Sequence, residues 1–214
     1  MTKQNVLEEI EYRKLVPVVK IDNVNDARPL CRTLIEGGLP CAEITFRTDA
    51  AEESIRIATK CYPEMLVGAG TVTSVEQAER AVSAGAKFLV SPGFSEKVAD
   101  FAVSKDILLL PGTCTPTEIM KAMDYGFSVV KFFPAQQYGG LTTIKTLSAP
   151  FPSMKFMPTG GINSVNIKEY LAFRQIIACG GSWMVKPDLF TNGDFTEVLS
   201  LTKEAVKIVG ESNE

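Results

Sequence analysis

Short apolar runs alternate with amphipathic stretches along most of the chain. The runs are rich in Val, Ile, Leu and Phe, and most are followed by Gly, Pro or Thr. This pattern is typical of a buried strand that ends in a loop. It predicts eight strands, over residues 15–20, 41–46, 66–70, 87–92, 107–111, 128–133, 155–159 and 176–180.

The stretches between these strands carry apolar residues at three- and four-residue spacing, which predicts helices. The predicted helices cover residues 26–36, 50–60, 75–84, 117–125 and 166–173, with another before the first strand at 6–14 and a closing one at 195–208. Asn163 and Ser164 are predicted to cap the helix after residues 159–162. Eight strand–helix units without a linker predict one domain over residues 1–214, a single α/β (β/α)8 TIM barrel with an extra N-terminal helix. A doubly wound sheet would show fewer strands and a GxGxxG turn.

Composition narrows the class of protein. Hydrophobic residues make up 45% of the 214 residues, charged residues 22%, and the net charge is -3. We see no basic stripe for nucleic acid, no apolar run long enough for a membrane and no signal peptide, so a cytoplasmic protein is expected. The five cysteines are far apart and are predicted to be reduced packing residues.

The chain contains no histidine. This excludes a Ser-His-Asp triad and a zinc site held by imidazole ligands. A general base must therefore be a carboxylate, Lys, Tyr or Cys, while an all-oxygen Mg²⁺ site stays open.

Lys131 lies within the apolar run SVVKFF, near the end of a predicted strand. Burial favours the neutral amine, which can attack a carbonyl to form a Schiff base. Taken alone, such a lysine is more often a structural ion-pair partner or a side chain that reaches out to solvent.

Glu43, in the strand CAEITF, is predicted to point to the same interior. It could neutralise Lys131 as a structural pair, or serve it as the acid/base that a histidine-free site needs. Arg47 follows this strand, and its guanidinium suits a substrate carboxylate, although a surface ion pair is the simpler interpretation.

Glycine-rich turns follow several of the predicted strands, and in a barrel they gather at the carboxyl ends of the strands. The segments TGGI (159–162) and CGGSW (179–183) follow the seventh and eighth strands. This is the usual position of a phosphate site in such barrels, where glycine N–H groups bind the anion. Tight turns without a ligand are the alternative.

The segments EITFRT, VGAGTV, SPGF, KFFPA, PTGGI and GGSW, in this order, strongly resemble the bacterial class I aldolases of 2-keto-3-deoxy-6-phosphogluconate (KDPG) and 4-hydroxy-2-oxoglutarate (KHG). The resemblance covers nearly the whole chain. It implies an aldehyde-lyase that needs no cofactor or metal, acts on small molecules and commonly forms a homotrimer.

The resemblance also implies a role for individual residues. Lys131 corresponds to the Schiff-base lysine and Glu43 to the acid/base. Arg47 and Thr71 would contact the pyruvyl carboxylate, and Thr159 the substrate hydroxyl. Two groups complete the implied site: the phosphate-binding residues Gly160, Gly161, Gly180, Gly181 and Ser182, and the pocket-lining residues Pro92 and Phe133.

Three functions remain open from the sequence. The first is the Schiff-base aldolase, acting on KDPG to give pyruvate and D-glyceraldehyde 3-phosphate, or on KHG. The second is a phosphosugar isomerase or epimerase, which needs no strand lysine. The third is a non-catalytic barrel that binds a phosphometabolite while Lys131 and Glu43 merely pair. A role for Lys20, near the end of the first strand, cannot be assigned.

Overall fold

The computed structural model describes residues 1–211. Strands and helices alternate through most of this part of the chain. The strands are β1 Leu15–Val19, β2 Cys41–Thr45, β3 Leu66–Gly70, β4 Phe88–Val90, β5 Leu108–Leu110, β6 Gly112–Thr113, β7 Val129–Phe132, β8 Lys155–Pro158 and β9 Cys179–Gly181. The helices are α1 Lys3–Arg13, α2 Ala27–Glu36, α3 Ala51–Cys61, α4 Val75–Ser83, α5 Glu96–Ser104, α6 Pro116–Asp124, α7 Gly140–Ser148, α8 Ile167–Leu171 and α9 Thr196–Gly210.

The strands form a curled parallel sheet in two parts. Six strands pair in the order β5-β4-β3-β2-β1-β9, and three in the order β6-β7-β8. A bridge between Thr159 and Gly180 links the end of β8 to β9. Only Pro111 separates β5 from β6, and its carbonyl accepts a hydrogen bond from the Lys131 N–H on β7 at 2.9 Å. The α/β class with parallel strands is as predicted, but Pro111, which has no N–H to donate, interrupts the fifth strand.

The strands separate two apolar clusters. Val129 packs in the cluster inside the curl of the sheet, whereas Val130 and Phe132 pack between the sheet and the surrounding helices. Val6 and Ile10 of α1 belong to the inner cluster and are buried, which explains why an extra helix precedes the first strand. This alternation follows from the two-residue period of a strand and places Lys131 on the inner face with Val129.

Two helices were missed by the sequence pattern, α5 and α7. Helix α7 begins GLTT, and glycine and threonine are poor helix formers, so its propensity is low. It forms because Leu141, Ile144 and Leu147 lie on one face and are buried.

The predicted cap at Asn163 and Ser164 is wrong, because α8 begins only at Ile167. The Asn163 carboxamide oxygen instead accepts hydrogen bonds from the N–H groups of Val165 and Asn166, which forms a turn before the helix. The turn takes up residues that the pattern assigned to the helix entrance.

Candidate active site

A cavity of about 240 Å³ opens at the carboxyl ends of the strands. Every residue that the sequence predicted for the site lines it: Glu43, Arg47, Thr71, Pro92, Lys131, Phe133, Thr159, Gly160, Gly161, Gly180, Gly181 and Ser182. Two further lining residues, Val18 and Ile162, were not predicted. They are apolar and have no chemical signature, although Val18 is near the end of β1 and Ile162 completes the PTGGI segment.

A second cavity, of about 220 Å³, lies among α1, the start of β5 and the start of β7. Its lining includes Leu7, Leu108 and Val129 and contains none of the predicted site residues. The candidate chemistry therefore belongs to the first cavity.

Lys131 and Glu43 face each other across the floor of the site. Lys131 is 4% exposed and Glu43 is fully buried, and the lysine Nζ is 3.5 Å from Glu43 Oε1. The other carboxylate oxygen, Oε2, has no hydrogen-bond partner within residues 1–211. A buried ion pair stabilises a fold only when its remaining lone pairs are satisfied. This pair is long and half satisfied, which disfavours a purely structural role and leaves both groups able to contact a ligand.

A glycine makes room for the Glu43 carboxylate beside Lys131. A Cβ atom on Gly70, at the end of β3, would lie only 2.1 Å from Glu43 Oε1. On the other side, the ring of Phe133 lies 5.1 Å from Lys131 Nζ, within the range of a cation–π contact. Glu43 thus occupies the space that a side chain at position 70 would fill.

Arg47 and Thr71 are at the rim. The Arg47 Nε donates a hydrogen bond to Thr45 Oγ1 at 3.1 Å, and among residues 1–211 no carboxylate pairs with its guanidinium. The surface ion pair considered from the sequence is therefore not formed. Thr71 has a φ of 55°, in the left-handed region that a β-branched residue rarely adopts. Such strain is often found at functional sites.

The glycine loop after β8 and the glycines of β9 form the opposite wall; Gly180 and Gly181 lie in this strand and not in the predicted turn. Gly160 and Gly161 have φ values of 99° and 78°, which a residue with a Cβ would rarely adopt. Their N–H groups donate no hydrogen bond within residues 1–211. A Cβ on Gly180 would lie 2.3 Å from Thr159 Oγ1, and that hydroxyl is buried without a partner in the same part of the chain. The free N–H groups of Gly160 and Gly161 suit an anion with several oxygens.

The three buried cysteines do not compete with Lys131 as nucleophiles. Burial raises the pKa of Cys41 to about 12, partly opposed by Arg13, with smaller upward effects of Glu43 and Glu9. Burial also raises the pKa of Cys31 to about 12, and that of Cys179 further. These groups are neutral thiols near pH 7, in agreement with the predicted packing role.

Lys20, whose role the sequence left open, does not line the cavity. Its Nζ is 2.7 Å from Asp22 Oδ1, in an exposed ion pair. Among residues 1–211, we find neither a group of three acidic or cysteine side chains suited to a metal ion nor a helix long and apolar enough to cross a membrane.

Comparison with known proteins shows the family of this chain. Residues 6–201 match the family of KDPG and KHG aldolases. The chain belongs to this aldolase family. The 2-dehydro-3-deoxy-phosphogluconate aldolase of Treponema pallidum (strain Nichols) is 44% identical to it over 96% of this chain and 98% of the relative. The KHG/KDPG aldolase of Escherichia coli (strain K12) is 39% identical, over 90% of this chain and 91% of the relative.

The fold of a relative with a solved structure matches the fold of this aldolase over nearly the whole chain. The KDPG aldolase from Legionella pneumophila, with pyruvate captured at low pH as a covalent carbinolamine intermediate, superposes with a TM-score of 0.90 at 35% identity. The match covers 96% of this chain and 98% of the Legionella chain. The α/β fold and the parallel sheet are therefore those predicted from the strand–helix pattern, and the family is the one that the motifs resemble.

Proposed function

We propose that this aldolase cleaves KDPG to pyruvate and D-glyceraldehyde 3-phosphate through a Schiff base on Lys131. The observation that carries this proposal is the buried Lys131–Glu43 pair, 3.5 Å apart, in which one carboxylate oxygen has no hydrogen-bond partner among residues 1–211. The names of the Treponema and Escherichia relatives support the substrate, and the covalent carbinolamine in the Legionella enzyme supports the class of intermediate.

The reaction begins when the neutral amine of Lys131 attacks the C2 carbonyl carbon. The resulting carbinolamine loses water to form an iminium ion, which withdraws electrons from the neighbouring carbon. Protons must be delivered and removed in these steps, and within the cavity Glu43 is the carboxylate placed beside Lys131 Nζ to do so.

Bond cleavage uses the same two residues. Glu43, directly or through a water molecule, removes the proton of the C4 hydroxyl, and the C3–C4 bond breaks. Its electron pair moves into the iminium to give an enamine, while C4 leaves as the aldehyde. Glu43 then returns a proton to C3, and hydrolysis of the new iminium by water releases pyruvate and the free amine.

The remaining residues bind the substrate in this proposal. Arg47 and Thr71 hold the carboxylate, and Thr159 faces the substrate hydroxyl, where its buried Oγ1 lacks a partner within residues 1–211. The unpaired amides of Gly160 and Gly161 bind the phosphate. The rest of the phosphate site and the side walls are assigned to Gly180, Gly181, Ser182, Pro92 and Phe133.

We also infer that the sheet closes into an eight-stranded barrel and that residues 1–211 form one domain; the last three residues of the predicted domain, 212–214, lie outside the described residues. The Thr159–Gly180 bridge and the hydrogen bond from Lys131 to Pro111 support closure, because they connect the two parts of the sheet on both sides. The family resemblance supports a homotrimer that acts without a metal or cofactor, and the composition supports a cytoplasmic location.

The test is a coupled assay of pyruvate release from KDPG and from KHG, with the wild type and Lys131→Ala. We expect release from KDPG that Lys131→Ala abolishes, and weaker release from KHG, which lacks the phosphate. Turnover of a ketose phosphate that survives Lys131→Ala would instead indicate an isomerase or epimerase. Ligand binding in calorimetry without pyruvate release would indicate a binding protein.

A further inference from the structure

Gln136 joins the loop after β7 to the glycine loop after β8. Its N–H donates a hydrogen bond to the Gly160 carbonyl at 3.0 Å, and the preceding Ala135 N–H donates to the Thr159 carbonyl at 2.8 Å. The Gln136 Cβ packs so closely on Gly161 that a Cβ there would be 2.4 Å away. The strand that carries Lys131 is thus connected directly to the proposed phosphate loop.

Tyr170 of α8 fixes the side chain of Gln136 through a hydrogen bond. Its hydroxyl donates a hydrogen bond to Gln136 Oε1 at 3.0 Å. Tyr170 is only 2% exposed, and burial raises its pKa, so the hydroxyl remains a donor at neutral pH. The hydroxyl fits there because Gly140 has no side chain, since a Cβ at that position would lie 2.7 Å from it. The buried Tyr170 hydroxyl therefore fixes the exposed side chain of Gln136.

These contacts restrict the Gly160–Gly161 segment. The Ala135 N–H holds the carbonyl of Thr159, whose peptide unit carries the Gly160 N–H. The Gln136 N–H holds the carbonyl of Gly160, whose peptide unit carries the Gly161 N–H. Neither glycine N–H donates a hydrogen bond within residues 1–211. Because a peptide unit cannot turn without breaking the bond at its carbonyl, both amides are kept available for an anion.

We propose that Gln136 and Tyr170 are positioning residues that orient the Gly160 and Gly161 amides toward the substrate phosphate, and so favour phosphorylated over unphosphorylated substrates. This inference rests on the proposed function. Neither side chain lines the cavity, so each acts through the glycine loop rather than on the reacting atoms. Loosening the loop weakens capture of the phosphate and leaves the Lys131–Glu43 chemistry intact.

The experiment compares Tyr170→Phe, which removes only the hydroxyl, with Gln136→Ala and with the double variant. Gln137→Ala is the matched control, because Gln137 is also exposed and its side chain makes no hydrogen bond within residues 1–211. For each protein, kcat and KM are measured with KDPG and KHG. The rate of borohydride trapping of the pyruvate adduct and the midpoint of urea unfolding are measured beside them.

We expect KM for KDPG to rise roughly threefold to tenfold in Tyr170→Phe and Gln136→Ala, the effect of one lost hydrogen bond. Pyruvate trapping, kcat/KM for KHG and the control variant should match wild type. The double variant should be no worse than Gln136→Ala, because the two residues act through one contact.

Equal losses with both substrates, or slower pyruvate trapping, would overturn the inference in favour of a general structural role. An unchanged KM for KDPG in both variants would overturn it as well. Failure of the proposed function is seen separately, since a wild-type chain that releases no pyruvate from KDPG removes both claims before any variant is compared.

Discussion

Gly70→Ala tests whether the space beside β3 positions Glu43. The added Cβ would lie 2.1 Å from Glu43 Oε1, 2.6 Å from Cγ and 2.7 Å from Cδ, where ordinary contacts begin at 3.4 Å. The φ of Gly70 is outside the left-handed region, so alanine adds bulk without backbone strain. The carboxylate must therefore move by more than 1 Å. A displacement of that size at reacting groups costs about 100-fold in rate.

We expect kcat for KDPG cleavage to fall about 100-fold in Gly70→Ala, while KM changes little because the proposed phosphate-binding residues are untouched. Overpacking should also lower the free energy of unfolding by about 1–3 kcal/mol, measured by urea titration. Gly93→Ala is the matched control, since no atom of residues 1–211 outside its chain neighbours lies within 4 Å of a Cβ at that position.

A double-variant cycle tests whether the loss of kcat comes from the displacement of Glu43. In a Glu43→Ala background the Gly70→Ala substitution should have almost no further effect on kcat, because the group it displaces is gone. A wild-type kcat in folded Gly70→Ala, or an undiminished loss in the Glu43→Ala background, would refute the reasoning.

Three further predictions concern single groups. Glu43→Gln should lower kcat by roughly 100-fold to 10,000-fold, since the amide cannot move protons, and a pyruvate-release assay measures this. Arg47→Ala should raise KM for KDPG roughly tenfold or more with a smaller change in kcat, because the substrate carboxylate loses its charged partner. At pH 8 the native protein should leave Cys31 and Cys41 unmodified by an alkylating reagent, because a pKa of about 12 leaves few thiolates, whereas the partly exposed Cys61 reacts; peptide mass analysis reads this out.

Much of the site could be predicted because strand alternation and parallel order are local and repetitive. Lys131 and Glu43 are 88 residues apart in the chain, yet both fall on inner strand faces near the carboxyl ends, which a parallel sheet brings together. The same logic located the loop of Gly160 and Gly161, since turns after strands gather at one edge. Gly180 and Gly181 were predicted in such a turn, but they lie in β9. Candidate catalytic residues at regular positions of the strands can therefore be predicted from the sequence.

Other features depend on three-dimensional packing and left no local pattern. The interruption at Pro111 and the burial that forms α7 from a weak helical segment both come from neighbouring elements. The approach of Gly70 to Glu43 depends on the register of β2 and β3, where Thr45 pairs with Gly70. The hydrogen bond between Gln136 and Tyr170 joins residues 34 positions apart and needs the closed loop geometry.

The central claim is that Lys131 forms a Schiff base with pyruvate, and reductive trapping tests it most directly. The protein is incubated with saturating pyruvate and sodium borohydride, and the intact mass and the modified peptide are measured. We predict one reduced pyruvyl adduct per chain on Lys131, absent in Lys131→Ala and unaffected in Lys155→Ala, a lysine outside the cavity. An unmodified Lys131 at saturating pyruvate would contradict the account.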